Sequence, residues 1–132
     1  MFTDTELAYL RSQRLGRIAT QKPDGTLQNS PVGFRYNAAE HTVDIGGYRM
    51  EQSRKFRNVA VNGRVAFVVD DLVSVQPWRV RCVEIRGHAE ALPADGTSPA
   101  LIRIHPDRII SFGIDEPDTD AHGLSVNARD VG

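Results

Sequence analysis

The chain has 132 residues, with 16 Lys and Arg against 17 Asp and Glu, a formal net charge of -1 and a hydrophobic fraction of 40%. One domain of this length closes one hydrophobic core, since chains of roughly 150 residues bury about two thirds of their unfolded surface, so residues 1–132 read as a single domain. The near-neutral balance lacks the basic excess of a nucleic-acid-binding face, and the longest apolar run, Val65 to Val69, is far short of the roughly 20 residues of a membrane-spanning helix.

Met1-Phe-Thr-Asp4 shows neither the basic region nor the apolar stretch of a secretory leader, and the single cysteine forms no internal disulfide. A reducing cytoplasm is the expected compartment. Thr3 and Glu6 stand at capping-box spacing, with Phe2 and Leu7 at the positions of a hydrophobic staple, which predicts a helix over about Asp4 to Gln13. Leu15 to Gln21, the turn Lys22-Pro-Asp-Gly25 and Thr26 to Tyr36 then read as strand, tight turn, strand. A third antiparallel strand follows the polar turn Asn37 to Glu40, with Val43 and Ile45 on one face.

Gly46-Gly47 breaks that strand. Glu51 to Val61 carries Phe56, Val59 and Ala60 at helical spacing and stops at Asn62-Gly63. Arg64 to Asp71 is apolar on both faces and rich in β-branched residues, which predicts a central strand buried on both sides, with Asp70-Asp71 ending it at solvent. After the Gln76-Pro77-Trp78 break, Val83, Ile85, Gly87, Ala89 and Ala91 alternate with polar neighbours over a length that suits a strand curving around a barrel. Pro93 to Pro99 reads as a loop and Arg108 to Ile114 as the closing strand. The tail from Asp115, with five acids and one base, reads as a loosely held arm or one that packs on a partner subunit. About six strands and two short helices, joined by short turns, predict a mainly β (α+β) antiparallel barrel.

Arg49 to Asn58 is the densest chemical signal, with four cations and one acid in ten residues around a helix start. Helix N-termini offer unpaired N–H groups and partial positive charge to phosphates. Arg54 adds a bidentate donor, Lys55 a point charge and Ser53 a hydroxyl; the competing reading is a short surface helix carrying cations for solubility. His41, His88, His105 and His122 lack metal-ligand spacing, so no metal is expected. Cys82, flanked by Val83, reads as a small core residue rather than a nucleophile. Ser30 and Ser111 lack the context of a serine hydrolase, and no glycine belongs to a dinucleotide fingerprint. A phosphate-friendly helix start without its own catalytic constellation suits a protein that positions a borrowed cofactor.

Eight stretches carry a resemblance over most of the chain: Leu15-Gly-Arg-Ile-Ala-Thr20, Pro23-Asp-Gly25, Pro31-Val-Gly-Phe-Arg-Tyr36, Val43-Asp-Ile-Gly-Gly47, Ser53-Arg-Lys-Phe-Arg-Asn58, Arg64-Val-Ala-Phe-Val-Val-Asp-Asp71, Pro77-Trp-Arg79 and Glu84-Ile-Arg-Gly87. With these the chain resembles the split β-barrel flavin and deazaflavin reductases related to pyridoxamine 5'-phosphate oxidase, in the actinobacterial branch that uses coenzyme F420. Within that group it is similar to the subfamily that includes the dehydrotetracycline reductase of tetracycline biosynthesis. The resemblance implies an FMN-binding-type split barrel and a homodimer with cofactor sites at its interface. It also implies hydride transfer between F420 and an unsaturated or conjugated, hydrophobic organic substrate, of the polyketide or tetracycline type. It assigns Ser53, Arg54, Lys55 and Asn58 to the cofactor phosphate. Gln28, Asn29, Ser30, Pro31, Val32, Ile45, Gly46 and Gly47 fall beside the ring system, and Trp78 and Arg79 on a loop reaching from the second subunit. Tyr48 and Arg49 stand either on the substrate side or in a solvent-facing loop. No proton donor is assigned, and Phe112 stands where related chains often carry Trp. Two other readings stay open at this point: an FMN-dependent flavoprotein like pyridoxamine phosphate oxidase, and a cofactor carrier with no reaction of its own.

Overall fold

The structure, a computed structural model, describes residues 1–115 and 123–132. Helix α1 spans Asp4–Ser12 and starts as its capping box requires: the Thr3 Oγ1 accepts from the Glu6 N–H at 3.1 Å and the Thr3 N–H donates to Glu6 Oε1 at 2.9 Å. Strands β1 (Leu15–Gln21) and β2 (Leu27–Gly33) form the expected hairpin, with Ala19 opposite Asn29 and Thr20 opposite Gln28.

The predicted strand Thr26 to Tyr36 is two strands. Pairing with β1 ends where Leu15 meets Gly33, and after Phe34 the chain leaves as β3 (Arg35–Asn37) to pair with β4 (Thr42–Ile45). Phe34 packs edge to face on Phe67, ring centroids 5.4 Å apart. The remaining elements are a 3-10 turn at Met50–Gln52, helix α2 at Arg54–Val61, and strands β5 (Arg64–Ser74), β6 (Arg79–Leu92), β7 (Leu101–Phe112) and β8 (Asn127–Asp130).

The antiparallel sheet runs β2-β1-β5-β6-β7-β4-β3, with β8 also on β7. Its two end strands, β2 and β3, are joined in the chain by Phe34 alone, so the sheet must curl until its ends meet. They meet without pairing, which leaves the barrel split. Ile18, Val43, Ile45, Phe67, Val69, Val83, Ile85, Ile102, Ile104 and Ile109 fill its interior, and α2 packs against β1, β6 and β7, burying Phe56 and Val59.

Four further expectations are corrected. The described residues form eight strands rather than about six. The closing strand begins at Leu101, not Arg108, because a bulge at Pro106–Arg108 reverses which residues face inward: Ile102 and Ile104 before it, Ile109 and Ser111 after it. β5 is central but buried on one face only: Val65, Phe67 and Val69 enter the core, while Ala66 and Val68 lie half-buried on the convex face. Nor do the two aspartates end it, because β5 continues to Ser74. Asp70 pairs with Arg17, and Asp71 accepts from Arg81 (2.6 and 2.9 Å) and from the Tyr9 hydroxyl (2.8 Å).

The tail is a strand over its last part rather than a loose arm. Asn127–Asp130 pairs with β7, and Arg129 reaches the buried Glu6. The rest of the tail reading, with His122, falls on 116–122, outside the described residues. Among the described residues no helix is long and apolar enough to cross a membrane.

Candidate functional site

Three stretches converge at the split. The concave side of the edge strand β2 presents Gln28, Ser30 and Val32; β4 ends in Ile45-Gly46-Gly47; and α2 begins after Ser53. Asn58 on α2 is bonded to Gln28 on β2. Gly33 and Gly46 line one cleft of about 340 Å³. A Cβ on Gly47 would stand 3.5 Å from Met50 Cε in the turn that leads into α2.

Ser53 caps α2: its Oγ accepts from the Phe56 N–H at 3.2 Å and donates to the Met50 carbonyl at 2.6 Å. That bonding leaves the Arg54 and Lys55 N–H groups open at the helix start, where partial positive charge gathers. Arg54 and Arg57 are exposed and Lys55 half-buried. Among the described residues no carboxylate lies within ion-pair distance of any of the three. Gly46 has an ordinary backbone conformation, and a Cβ built on it meets nothing within 4 Å. The chain's own packing does not need glycine there, and the bare backbone leaves room for a flat ligand to approach. An anionic group at α2 and a planar body along the glycine edge therefore fit the residues present.

Residues 28–32 divide by strand alternation. Val32 is buried, as is Ile45 on β4, and both side chains are core wall. Asn29 and Pro31 are exposed on the convex face, where Asn29 lines a second cleft of about 280 Å³ with Arg17, Ala19, Ala66, Val68 and Glu84. Trp78 and Arg79 lie at the β5–β6 hairpin, next to the cis Gln76–Pro77 bond, with Trp78 53% exposed. Tyr48 is 89% exposed and carries the Arg49 guanidinium 5.3 Å from its ring centroid, in an exposed loop after the glycine pair.

Cys82 is buried and its thiol is pushed up to about 12, first by burial and then by Asp70 and Glu84, so it stays protonated and unreactive. His88 and His105 stack at 5.0 Å and face Asp107 and Glu90, while His41 lies beside the Tyr36 hydroxyl. Among the described residues no group of three or more His, Cys, Asp or Glu is placed to hold a metal.

Thr20 escaped the sequence reading. It is 1% exposed and accepts a hydrogen bond from Asn58 at 3.1 Å. Its signal was a polar residue at an inward position of β1, in line with Gly16 and Ile18. The convex cleft was also missed, although the double-sided apolar pattern of β5 was its trace.

The family described as pyridoxamine 5'-phosphate oxidase matches residues 2–125. The chain is 45% identical over 138 aligned positions to the 5a,11a-dehydrotetracycline/5a,11a-dehydrooxytetracycline reductase of Streptomyces rimosus subsp. rimosus, an alignment covering 99% of this chain and 97% of that one. Among solved structures it is similar to the FAD binding protein from Mycobacterium smegmatis (TM-score 0.60, 24% identity, 82% of this chain and 92% of that one). It is also similar to a structure described as an F420 reductase (TM-score 0.54, 23% identity, 70% and 86%). At these identities the two structures speak to the fold alone, an antiparallel split barrel.

Proposed function

The chain belongs to the pyridoxamine 5'-phosphate oxidase family, and from that premise we propose that it is an oxidoreductase dependent on reduced F420, acting on a conjugated, hydrophobic organic acceptor of the tetracycline type. The observation that carries this reading is the 45% identity, over nearly the whole of both chains, to a reductase of dehydrotetracyclines. The split agrees with it: unneutralised cations at a helix start suit the cofactor's phosphate, and the open Gly46-Gly47 edge suits its planar ring.

In this reading Arg54, Lys55 and the open N–H groups of α2 hold the phosphate. The backbone of residues 28–32 and 45–47 bears on the ring. When bound, the deazaflavin supplies a hydride to an activated double bond. The chain's own task is then to orient the acceptor and keep water out, which the core wall of Val32 and Ile45 serves from beneath. The half-buried convex face, with Ala66, Val68, Ile110 and Phe112, supports a homodimer in which that face is covered by a second copy and Trp78 and Arg79 reach the partner's site. Light scattering is expected to give twice the 14.6 kDa chain mass; a monomer at micromolar concentration removes the dimer.

A fluorescence titration with F420 and FMN side by side tests the cofactor. Preference for F420, followed by its oxidation in the presence of a conjugated enone, supports the reading. Preference for FMN overturns the F420 assignment, and F420 binding without turnover of any enone or quinone makes the chain a carrier. Lys55→Ala is expected to weaken binding of the preferred cofactor by about 1–3 kcal/mol, the cost of losing a charge-assisted hydrogen bond. Unchanged affinity removes Lys55 from the phosphate site.

A further inference from the structure

Asn58 was assigned by resemblance to the cofactor phosphate, but its surroundings point elsewhere. It is 2% exposed. Its single amide nitrogen donates twice, to Thr20 Oγ1 at 3.1 Å and to Gln28 Oε1 at 3.2 Å. An amide nitrogen carries two hydrogens, so Asn58 has none left for an anion. Its two acceptors face each other across the β1–β2 hairpin, Thr20 being the register partner of Gln28. Asn58 thus bridges the pair from above and pins the hairpin to α2.

The bridge also decides which end of Gln28 looks outward. With Oε1 held by Asn58, the Gln28 amide nitrogen must turn the other way, along the concave side of β2, where it lies 3.5 Å from Ser30 Oγ. Its second N–H has no acceptor among the described residues. Gln28 is half-buried on an edge strand at the split, and a polar hydrogen held at a half-dry edge is a ready donor to a ligand.

We propose that Asn58 is a positioning residue that locks the Gln28 side chain as a hydrogen-bond donor facing the split, and that Gln28 donates to a carbonyl oxygen on the pyrimidinedione edge of the bound ring. The second half rests on the flavin-type reading above. Flavins and deazaflavins both carry that edge, so the donor serves either cofactor and does not choose between them. Asn58 acts through Gln28 and touches no part of the ligand.

The test is a double-mutant cycle read as dissociation constants for F420 and FMN, with the melting temperature of the unliganded protein measured on every variant. Gln28→Leu removes the donor and is expected to weaken binding about five- to tenfold, the usual worth of one neutral hydrogen bond. Gln28→Glu replaces the donor by an acceptor facing an acceptor and is expected to weaken it at least as much. Asn58→Ala is expected to weaken binding severalfold when Gln28 is present and not at all in the Gln28→Leu background. Equal losses in both backgrounds overturn the proposal, because they mean that Asn58 meets the ligand itself. Wild-type affinity in Gln28→Glu overturns it too. A wild-type protein that binds neither F420 nor FMN defeats the cofactor reading and the Gln28 contact with it.

The positioning half has its own readout without any ligand: nitrogen-15 relaxation of the Gln28 side-chain amide in the unliganded protein. That amide is expected to be as rigid as the backbone in the wild type and mobile in Asn58→Ala. Equal rigidity in both overturns the positioning role. Should Asn58→Ala fail to fold, Asn58→Ser is the second variant, since its short hydroxyl keeps a polar group beside Thr20 without spanning to Gln28.

Discussion

Replacing Glu6 with alanine is expected to cost about 3 kcal/mol of folding stability, the lower part of the range for breaking a buried charge pair, and to lower the melting temperature by about 10 °C. Glu6 has no exposed surface, and both of its oxygens are in use. Oε1 accepts from the Thr3 N–H at 2.9 Å and from Arg129 Nη2 at 2.5 Å; Oε2 accepts from Ser111 Oγ at 2.6 Å and from Arg129 Nη1 at 3.0 Å. One carboxylate therefore ties the first helix, the end of β7 and the last strand together. The cost stays near the lower bound because Arg129 is itself partly exposed and keeps the Met1 carbonyl and Asn127 as acceptors.

The pH dependence of that contribution has a definite sign. Burial pushes the Glu6 carboxyl up, but Arg129, Ser111 and the Thr3 N–H together outweigh it and leave the folded group below the ordinary 4.5. A depressed carboxylate stabilises the fold above its unfolded pKa and loses that contribution as pH falls through the folded one. Asp44, held low by Arg103, Asn37 and Thr42 against its burial, and Asp71, held low first by Arg81, act in the same direction. Stability is therefore expected to fall steadily below about pH 4.5, and the gap between wild type and Glu6→Gln to narrow over the same interval. Thermal unfolding at a series of pH values measures it. A gap that persists into strong acid shows that the carboxylate charge does not hold the clasp.

Gly87→Ala is expected to cost about 3 kcal/mol, at the upper end for forcing atoms into a packed region. A Cβ there would stand 2.1 Å from the His105 carbonyl oxygen and 3.2 Å from the Asp107 nitrogen, both backbone atoms that cannot rotate aside. The close approach exists because β7 carries an extra residue where Gly87 faces Pro106, and a bulge bends the strand that carries it. The first half of β7, beyond that bend, is the part that pairs with β4, the strand that leads into Gly46-Gly47. Loss of cofactor affinity is accordingly expected to accompany the loss of stability. A Gly87→Ala protein that melts within 2 °C of wild type, a shift of well under about 1 kcal/mol, contradicts this account of the bulge.

Much of this architecture was legible from local chemistry. Thr3 and Glu6 announced α1, Pro23-Asp-Gly25 announced the first hairpin, and the apolar spacing of Phe56 and Val59 announced α2, because caps, turns and helical faces are decided by residues a few positions apart. Leu101 to Asp107 was not legible. The alternation that marks a strand changes phase at Pro106, and a proline in the middle of a strand is tolerated only where the ladder is already broken. The tail misled for a different reason: its acids dominate its composition, whereas its docking rests on the β8 ladder with β7 and on one arginine that reaches a glutamate 123 residues away.

At the site, the cations of Arg54 to Arg57, the hydroxyl of Ser53 and the glycine pair were visible as residue types. Their places were not: Ser53 spends its hydroxyl on the cap, and strand alternation sends Asn29 and Pro31 to the face opposite Gln28 and Ser30.

By itself the sequence determined the run of antiparallel strands with a short helix inserted, the charged helix start and, through eight matching stretches, the family. Tertiary structure alone decided that β2 and β3 close the sheet on either side of Phe34, that the outer face of β5 is left half-covered, and that Asn58 meets Thr20 and Gln28 rather than solvent. The physical reason is range: composition and periodicity act between neighbours, while register, curvature and the pairing of a buried amide depend on residues 30 to 40 positions apart, which only the folded chain brings within 3.2 Å.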